Sequence, residues 1–338
     1  MEMDHNIRLT SSELASLWTV YMNNTMSVCV LKFFKAKTQD TEISSILDLA
    51  IEISETMIKD ITAIYEKENH AIPVGFNENE DLNLNAPALY SDTFHLKFVH
   101  NMARHGMTSY GASFAGCARS NVKELNSKAI DMTRDLYNKS LGVLLEKGLY
   151  SRAASIPIPD KVEFIEKQGY LTGWFGERRP MNAIEIMHFY NNMERNAIGK
   201  ALLLGFAQTA SLKEVSNFMV RGAQIANKVV EFMAHILSEE NLSETPTMDS
   251  DVLKSTTPPF SDKLMMFQVS LLSGMSLGYY GVALGTVSRR DLGSKFMRIT
   301  MEAVQYAEDG VNIMIEHKWM EKPPSSIDNI EIAKTKKK

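Results

Sequence analysis

Apolar residues recur every three to four positions along most of this chain, in four long runs, then a break, then four more. The first run follows "LTSSE", where Thr10 and Glu13 have capping-box spacing. It places Leu14, Leu17, Tyr21, Thr25 and Val28 on one helical face. The second follows "QDTE" and repeats Ile43, Ile46, Leu47, Ala50, Ile53, Met57, Ile61 and Ile64. After a polar loop containing "NENEDLNLNAP", a third run covers about Ser91 to Gly116. The fourth opens at Ser120 with Val122, Leu125, Ala129, Met132, Leu136 and Leu144. The pattern predicts long helices and an all-α fold.

The second half repeats this order. One constant offset aligns Asn24 with Asn196, Leu31 with Leu203, Phe34 with Phe206, Glu42 with Glu214 and Pro87 with Pro259. Past the polar loop, an offset two residues shorter pairs Ser91-Asp92 with Ser261-Asp262, Tyr110-Gly111 with Tyr280-Gly281, and Arg119 with Arg289. A loop absorbs such a deletion at little cost. The chain therefore reads as a tandem duplication of a four-helix unit. The first bundle is placed at residues 1–155, a linker at 156–180, the second bundle at 181–324 and a basic, disordered tail at 325–338.

The linker carries Phe164, Tyr170, Trp174 and Phe175, with Tyr150 just ahead of its prolines. Flexible linkers are poor in aromatics, so this one is expected to pack on the bundles and fix their orientation. The third runs, "HGMTSYGASFAG" and "SGMSLGYYGVALG", are rich in small residues. Gly274/Gly278 and Gly281/Gly285 line one face, which predicts close approach of another helix and docking of the two halves along it. Leu264 to Ser288 carries no charge and is long enough to raise the question of a membrane span. The repeat answers it, because the first copy holds His95, Lys97, His100, Arg104 and His105 at equivalent positions. A buried helix of a soluble bundle is the expectation.

Composition adds little to this picture and removes several function classes. The 338 residues are 44% hydrophobic and 23% charged, a globular balance, and the net charge of −5 argues against nucleic acid as a partner. The basic run "KTKKK" is confined to the last five positions. Cys29 and Cys117 make no disulfide framework and read as small core residues in a reducing cytoplasm. The polar start "MEMDHNIRLTSSE" has no apolar signal core.

The candidate chemistry is a metal site. Glu185 and His188 form a Glu-x-x-His, the way a bundle helix presents a carboxylate and an imidazole to a metal pair. Glu231 and His235, four apart on the next helix, could share a face with them. The third helix of this half offers no acid or imidazole between Lys263 and Arg289, and Glu302, Glu308 and Asp309 on the fourth lack a correctly spaced histidine. In the first half Ser16 stands where His188 does, and His95, His100 and His105 step by five, too far round a helix for one ligand stripe. A complete di-metal centre is not expected. Glu185, His188, Glu231 and His235 are the residues that would hold a single weakly bound ion. Neither a phosphate loop nor a nucleophile elbow is present.

Several segments, "LTSSELASLWTVYMNNTMSVCVLKFF", "LNAPALYSD", "YLTGWFGERRPMNAIEI", "IGKALLLGF", "PPFSDKLMMFQVSLLS" and "YAEDGVNIMI", together resemble DUF3231, a family of uncharacterised proteins of endospore-forming bacilli. The resemblance spans both repeats and the linker. It implies a ferritin-like four-helix bundle in each half, and some members carry the label "putative spore coat protein". It implies no catalytic activity. The expectation is a non-enzymatic structural or interaction protein, cytoplasmic or spore-associated, with protein partners or self-association. The alternative is a metal-binding oxidase or storage protein with a degenerate site in the second bundle. A third reading is a small-molecule binder with an apolar cavity lined by methionines such as Met265, Met266 and Met275.

Overall fold

The computed structural model describes residues 7–174 and 178–326. Linker residue Phe175 and the basic run of the tail lie outside them. Among the described residues nine α-helices form two similar halves. The first half contains α1 (Ser11–Lys37), α2 (Thr41–Lys67), a single turn α3 (Glu78–Asp81), α4 (Asp92–Gly116) and α5 (Ser120–Glu146). The second contains α6 (Ala183–Thr209), α7 (Lys213–Glu239), α8 (Asp262–Thr286) and α9 (Arg290–Glu316). The long helices run 27, 27, 25 and 27 residues in each half. In each half two helical hairpins, α1–α2 with α4–α5 and α6–α7 with α8–α9, pack into a four-helix bundle. The chain is an all-α tandem duplication.

The caps explain where the helices begin. Thr10 and Glu13 close a full capping box on α1, and Asn182 and Glu185 close the matching one on α6. Ser91 and Ser261 cap α4 and α8 by accepting from Phe94 N and Leu264 N, both at 3.1 Å. Next to each serine an aspartate ties down the preceding hairpin. Asp92 accepts from the amides of Gln39 and Asp40, and Asp262 from those of Ser211 and Leu212.

The two halves join through their long loops. Leu82 bridges Phe260 and Tyr90 bridges Val252, both antiparallel. Asn83 N donates to Pro259 O at 2.8 Å, and Leu253 N to Leu89 O at 2.9 Å. Ser91 Oγ donates to Asp251 Oδ1 at 2.5 Å, and Ser261 Oγ to Asp81 Oδ1 at 2.6 Å. Each of these bonds occurs twice with the halves exchanged, which is the signature of a two-fold contact between copies of one unit. The ladder also fixes the alignment. Leu89, not Pro87, is the counterpart of Pro259, so the two-residue deletion lies ahead of Asp81.

Behind this clasp the apolar core is continuous between halves, with Phe33, Phe34, Tyr90 and Phe94 in one cluster with Leu202, Phe206, Phe260 and Met265. Phe33 meets Phe260 edge-on at 5.2 Å. At the exchanged position Tyr90 lies over Gly205, where a Cβ would come within 2.2 Å of its hydroxyl oxygen, and that hydroxyl donates to Leu202 O at 2.7 Å. One contact is ring on ring, and its twin is ring on bare backbone.

Two expectations fail. The halves do not dock along the glycine stripe: Gly274, Gly278, Gly281 and Gly285 are exposed, and a Cβ added at any of them would meet no atom within 4 Å. Toward the other half α8 buries its first turns, with Leu264, Met265, Met266 and Val269 in the shared core, while Tyr280 and Ala283 pack in the core of its own bundle. The linker does not pack along its length either. Phe164 is 85% and Trp174 58% exposed. Among its described residues it docks towards its C-terminal end, where Tyr170 lies beneath the Arg179 guanidinium, 3.8 Å from the ring centroid, and Gly173 is buried against Asp291. Just ahead of the linker Tyr150 meets His100 edge-on. Among the described residues no helix is long and apolar enough to cross a membrane.

Candidate functional site

Glu185 is fully buried at the N-terminus of α6, and its carboxylate is saturated. Arg179 grips both oxygens at 2.8 Å, Asn182 N donates at 3.0 Å and Arg289 N at 2.9 Å. Four donors use the four acceptor positions of a carboxylate. Burial alone would raise its pKa, yet Arg179 and the two amides outweigh burial and hold the carboxyl below its ordinary value. The first half repeats the arrangement without the arginine fork. Glu13 accepts from the amides of Ala118 and Arg119. Arg119 pairs with Glu68 as Arg289 pairs with Glu240.

The other sequence-predicted ligands lie apart from this carboxylate's contacts. His188 Nε2 meets Thr286 Oγ1 at 2.7 Å. Glu231 accepts from Asn227 on the exposed side of α7, and His235, with its side chain 71% exposed, faces Glu239. Among the described residues no three His, Cys, Asp or Glu side chains form a metal-sized cluster. His95 Nδ1 meets Thr38 Oγ1 at 2.8 Å, His100 Nδ1 meets Ser140 Oγ at 3.0 Å, and His105 Nδ1 meets Tyr279 OH at 2.7 Å. Burial lowers the pKa of His95 and His100 to about 4, and burial with Arg195 and Arg104 lowers that of His105 to about 3. All three rings are neutral at pH 7. Both thiols are free and buried, and burial pushes Cys29 up to about 12.

What the structure does assemble is a pair of cavities related by the internal two-fold. The first, about 160 Å³, lies in the first bundle between α1, α2, α4 and α5 and is closed by Gln268, Leu271 and Met275 of α8. The second, about 90 Å³, lies in the second bundle between α6, α7, α8 and α9 and is closed by Phe98, Asn101 and His105 of α4. Each half thus supplies the third helix that roofs the other's cavity. Their linings correspond residue by residue: Asn24 with Asn196, Leu31 with Leu203, Ile53 with Ile225, Tyr110 with Tyr280. In both, the asparagine is hydrogen-bonded to the tyrosine hydroxyl, at 3.3 Å in the first and 2.9 Å in the second.

Family membership follows from a match that falls on the same two units. The profile described as "Protein of unknown function (DUF3231)" matches residues 1–162 and again residues 170–332. The chain belongs to the DUF3231 family. No curated protein matches this DUF3231 chain significantly. A crystal structure titled a putative spore coat protein from Bacillus halodurans C-125 is similar at 15% identity, covering 44% of this chain and 98% of its own, with a TM-score of 0.43.

The cavities lie partly beyond what sequence reasoning locates. Met275 does line the first, across the interface from its own bundle, whereas Met265 and Met266 are core residues. Sequence patterning does not single out the polar lining residues Gln268 and Arg195. The available signal for Arg195 is its place in the inward series His188, Asn192, Arg195, Gly199, Leu202 of α6, where it is the one formally charged side chain.

Proposed function

We propose that this DUF3231 protein is a non-enzymatic structural or interaction protein that works by self-association, in the spore-associated setting its family resemblance implies. The observation that supports this is a surface. On α9, Met297, Met301 and Val304 are 58%, 69% and 48% exposed, and Val282 on the adjoining α8 is 57% exposed beside its glycines. The counterparts of the three α9 residues on α5 are Ser127, Asp131 and Arg134, an ordinary polar face with an internal ion pair between the last two. One unit carries a surface suited to water, and its twin carries an apolar one at the same place.

The occupant we assign is a second copy of this chain. The four apolar side chains offer no charge for a charged partner to pair with, and the glycines let a second helix come close. Meeting its own likeness about a two-fold axis buries all four side chains at once. Light scattering on the full chain at tens of micromolar should give a dimer. The triple variant Met297→Ser, Met301→Asp, Val304→Arg, which copies the first half, should give a monomer of unchanged helicity. A monomeric wild type, or an unchanged mass in the variant, would overturn the assignment.

A further inference from the structure

The two cavities differ most at one position. Asn23 in the first is Arg195 in the second. Arg195 has no ion-pair partner among the described residues, and its Nε is buried without an acceptor. Its neighbour Glu194 is held by Arg104 across the interface at 2.5 Å. The guanidinium lies on the face of Tyr279, 3.7 Å from the ring centroid. A guanidinium stacked in this way keeps its in-plane N–H groups free for a planar, two-oxygen acceptor. Burial and Arg104 pull its pKa down to about 10, which leaves it charged at neutral pH.

A partly buried cation without a counter-ion is costly, and native proteins normally pair one. The remaining lining points to the rest of the ligand. Ile198, Leu202, Ile225, Val269 and Leu272 supply apolar walls. Asn101, 4% exposed, lines the same space, and its Oδ1 has no donor. Cavities of about 150 Å³ take up benzene. The 90 Å³ here accommodates an apolar tail of roughly three to five carbons by that measure.

We propose that the cavity of the second half is a binding site for a short-chain carboxylate, its head group on Arg195 and its tail among Ile198, Ile225 and Leu272. The first cavity, with Asn23 in that place, takes no anion. This assignment does not rest on self-association, since none of these residues belongs to the α8–α9 outer surface.

Calorimetry or ligand-detected NMR on the full chain, in a buffer free of other carboxylates, tests it. Butyrate and hexanoate should bind with one site per chain, and butyramide, of the same shape without charge, at least ten-fold more weakly. Arg195→Asn, which copies the first half, should lose butyrate at least ten-fold. Because that variant could fold poorly, a second one keeps the arginine. No atom lies within 4 Å of a Cβ at Gly199, which lines the cavity. Gly199→Leu should therefore fold normally, fill the tail space and abolish binding. Absence of binding by any acid would overturn the proposal, as would equal binding of butyramide, or full competition by inorganic phosphate showing a bare anion site. Undiminished binding in Gly199→Leu would also overturn it.

Discussion

The third long helix of the first half and that of the second occupy the same place in two copies of one bundle, with almost opposite interiors. On α4, His95, His100, Asn101 and His105 are buried; the three histidines pair with Thr38, Ser140 and Tyr279, and Asn101 with His105. On α8 the same positions are Met265, Ser270, Leu271 and Met275. Both helices start at a serine cap, end after 25 residues and hold the preceding hairpin through an aspartate. The bundle is specified by what the copies share: caps, loop ladder and the asparagine–tyrosine pairs. What they do not share is free to differ because each helix is also the roof of the other half's cavity.

The sharpest break in that comparison should come from the helix-start carboxylates. Glu185→Ala leaves Arg179 without its carboxylate and the Arg289 amide without an acceptor, and should cost about 3–5 kcal/mol. Glu13→Ala removes the same cap without an arginine fork and should cost about 1–2 kcal/mol. Urea denaturation of the two variants measures the gap. Equal losses would mean that the fork at Glu185 adds nothing.

A smaller effect separates the halves by pH. With folded pKa values near 4 for His95 and His100 and near 3 for His105, against an ordinary 6.5, the unfolded chain takes up protons first as pH falls. The stability gained by keeping these rings neutral is complete above about pH 6.5 and declines towards pH 4. At about pH 5.5 the loss should be roughly 1 kcal/mol per ring. His95→Met and His105→Met, which copy the second half, should flatten the profile in that window. The depressed carboxyls Glu13, Glu185 and Asp291 act only at lower pH. A profile unchanged by the methionine variants would show that other groups carry the acid sensitivity.

The smallest effect concerns metal. Elemental analysis should find well under one equivalent of iron, manganese or zinc, and a chelator should move the melting temperature by less than about 1 °C. A metal lost on Glu185→Ala and on His188→Ala would instead restore the Glu-x-x-His as a site.

The fold was legible where identical residues keep identical partners. Asn24/Asn196, Tyr110/Tyr280 and Arg119/Arg289 stand out in the sequence as repeats because each pair makes the same bond twice. Other features were illegible for physical reasons. Periodicity shows that Gly274, Gly278, Gly281 and Gly285 share faces, but on a stretch uncharged from Leu264 onward it does not say which face is covered. Pro87 and Pro259 matched by residue type, while the ladder hydrogen bonds pair by backbone position. Arg195 could not be recognised as unpaired, because that depends on Glu194 reaching Arg104, 90 positions away in the other half.

The exchanged loop ladder also sets an order of events during synthesis. The Leu82–Tyr90 segment finds its partner only when the chain has grown 160 residues beyond Ser91 to Asp251. At ordinary elongation rates the first half waits about ten to thirty seconds with its Phe33–Tyr90 surface uncovered. During that interval, the second half of a neighbouring chain on the same messenger could complete the ladder as well as its own. Dense translation would then yield interlocked chains, and sparse translation single ones.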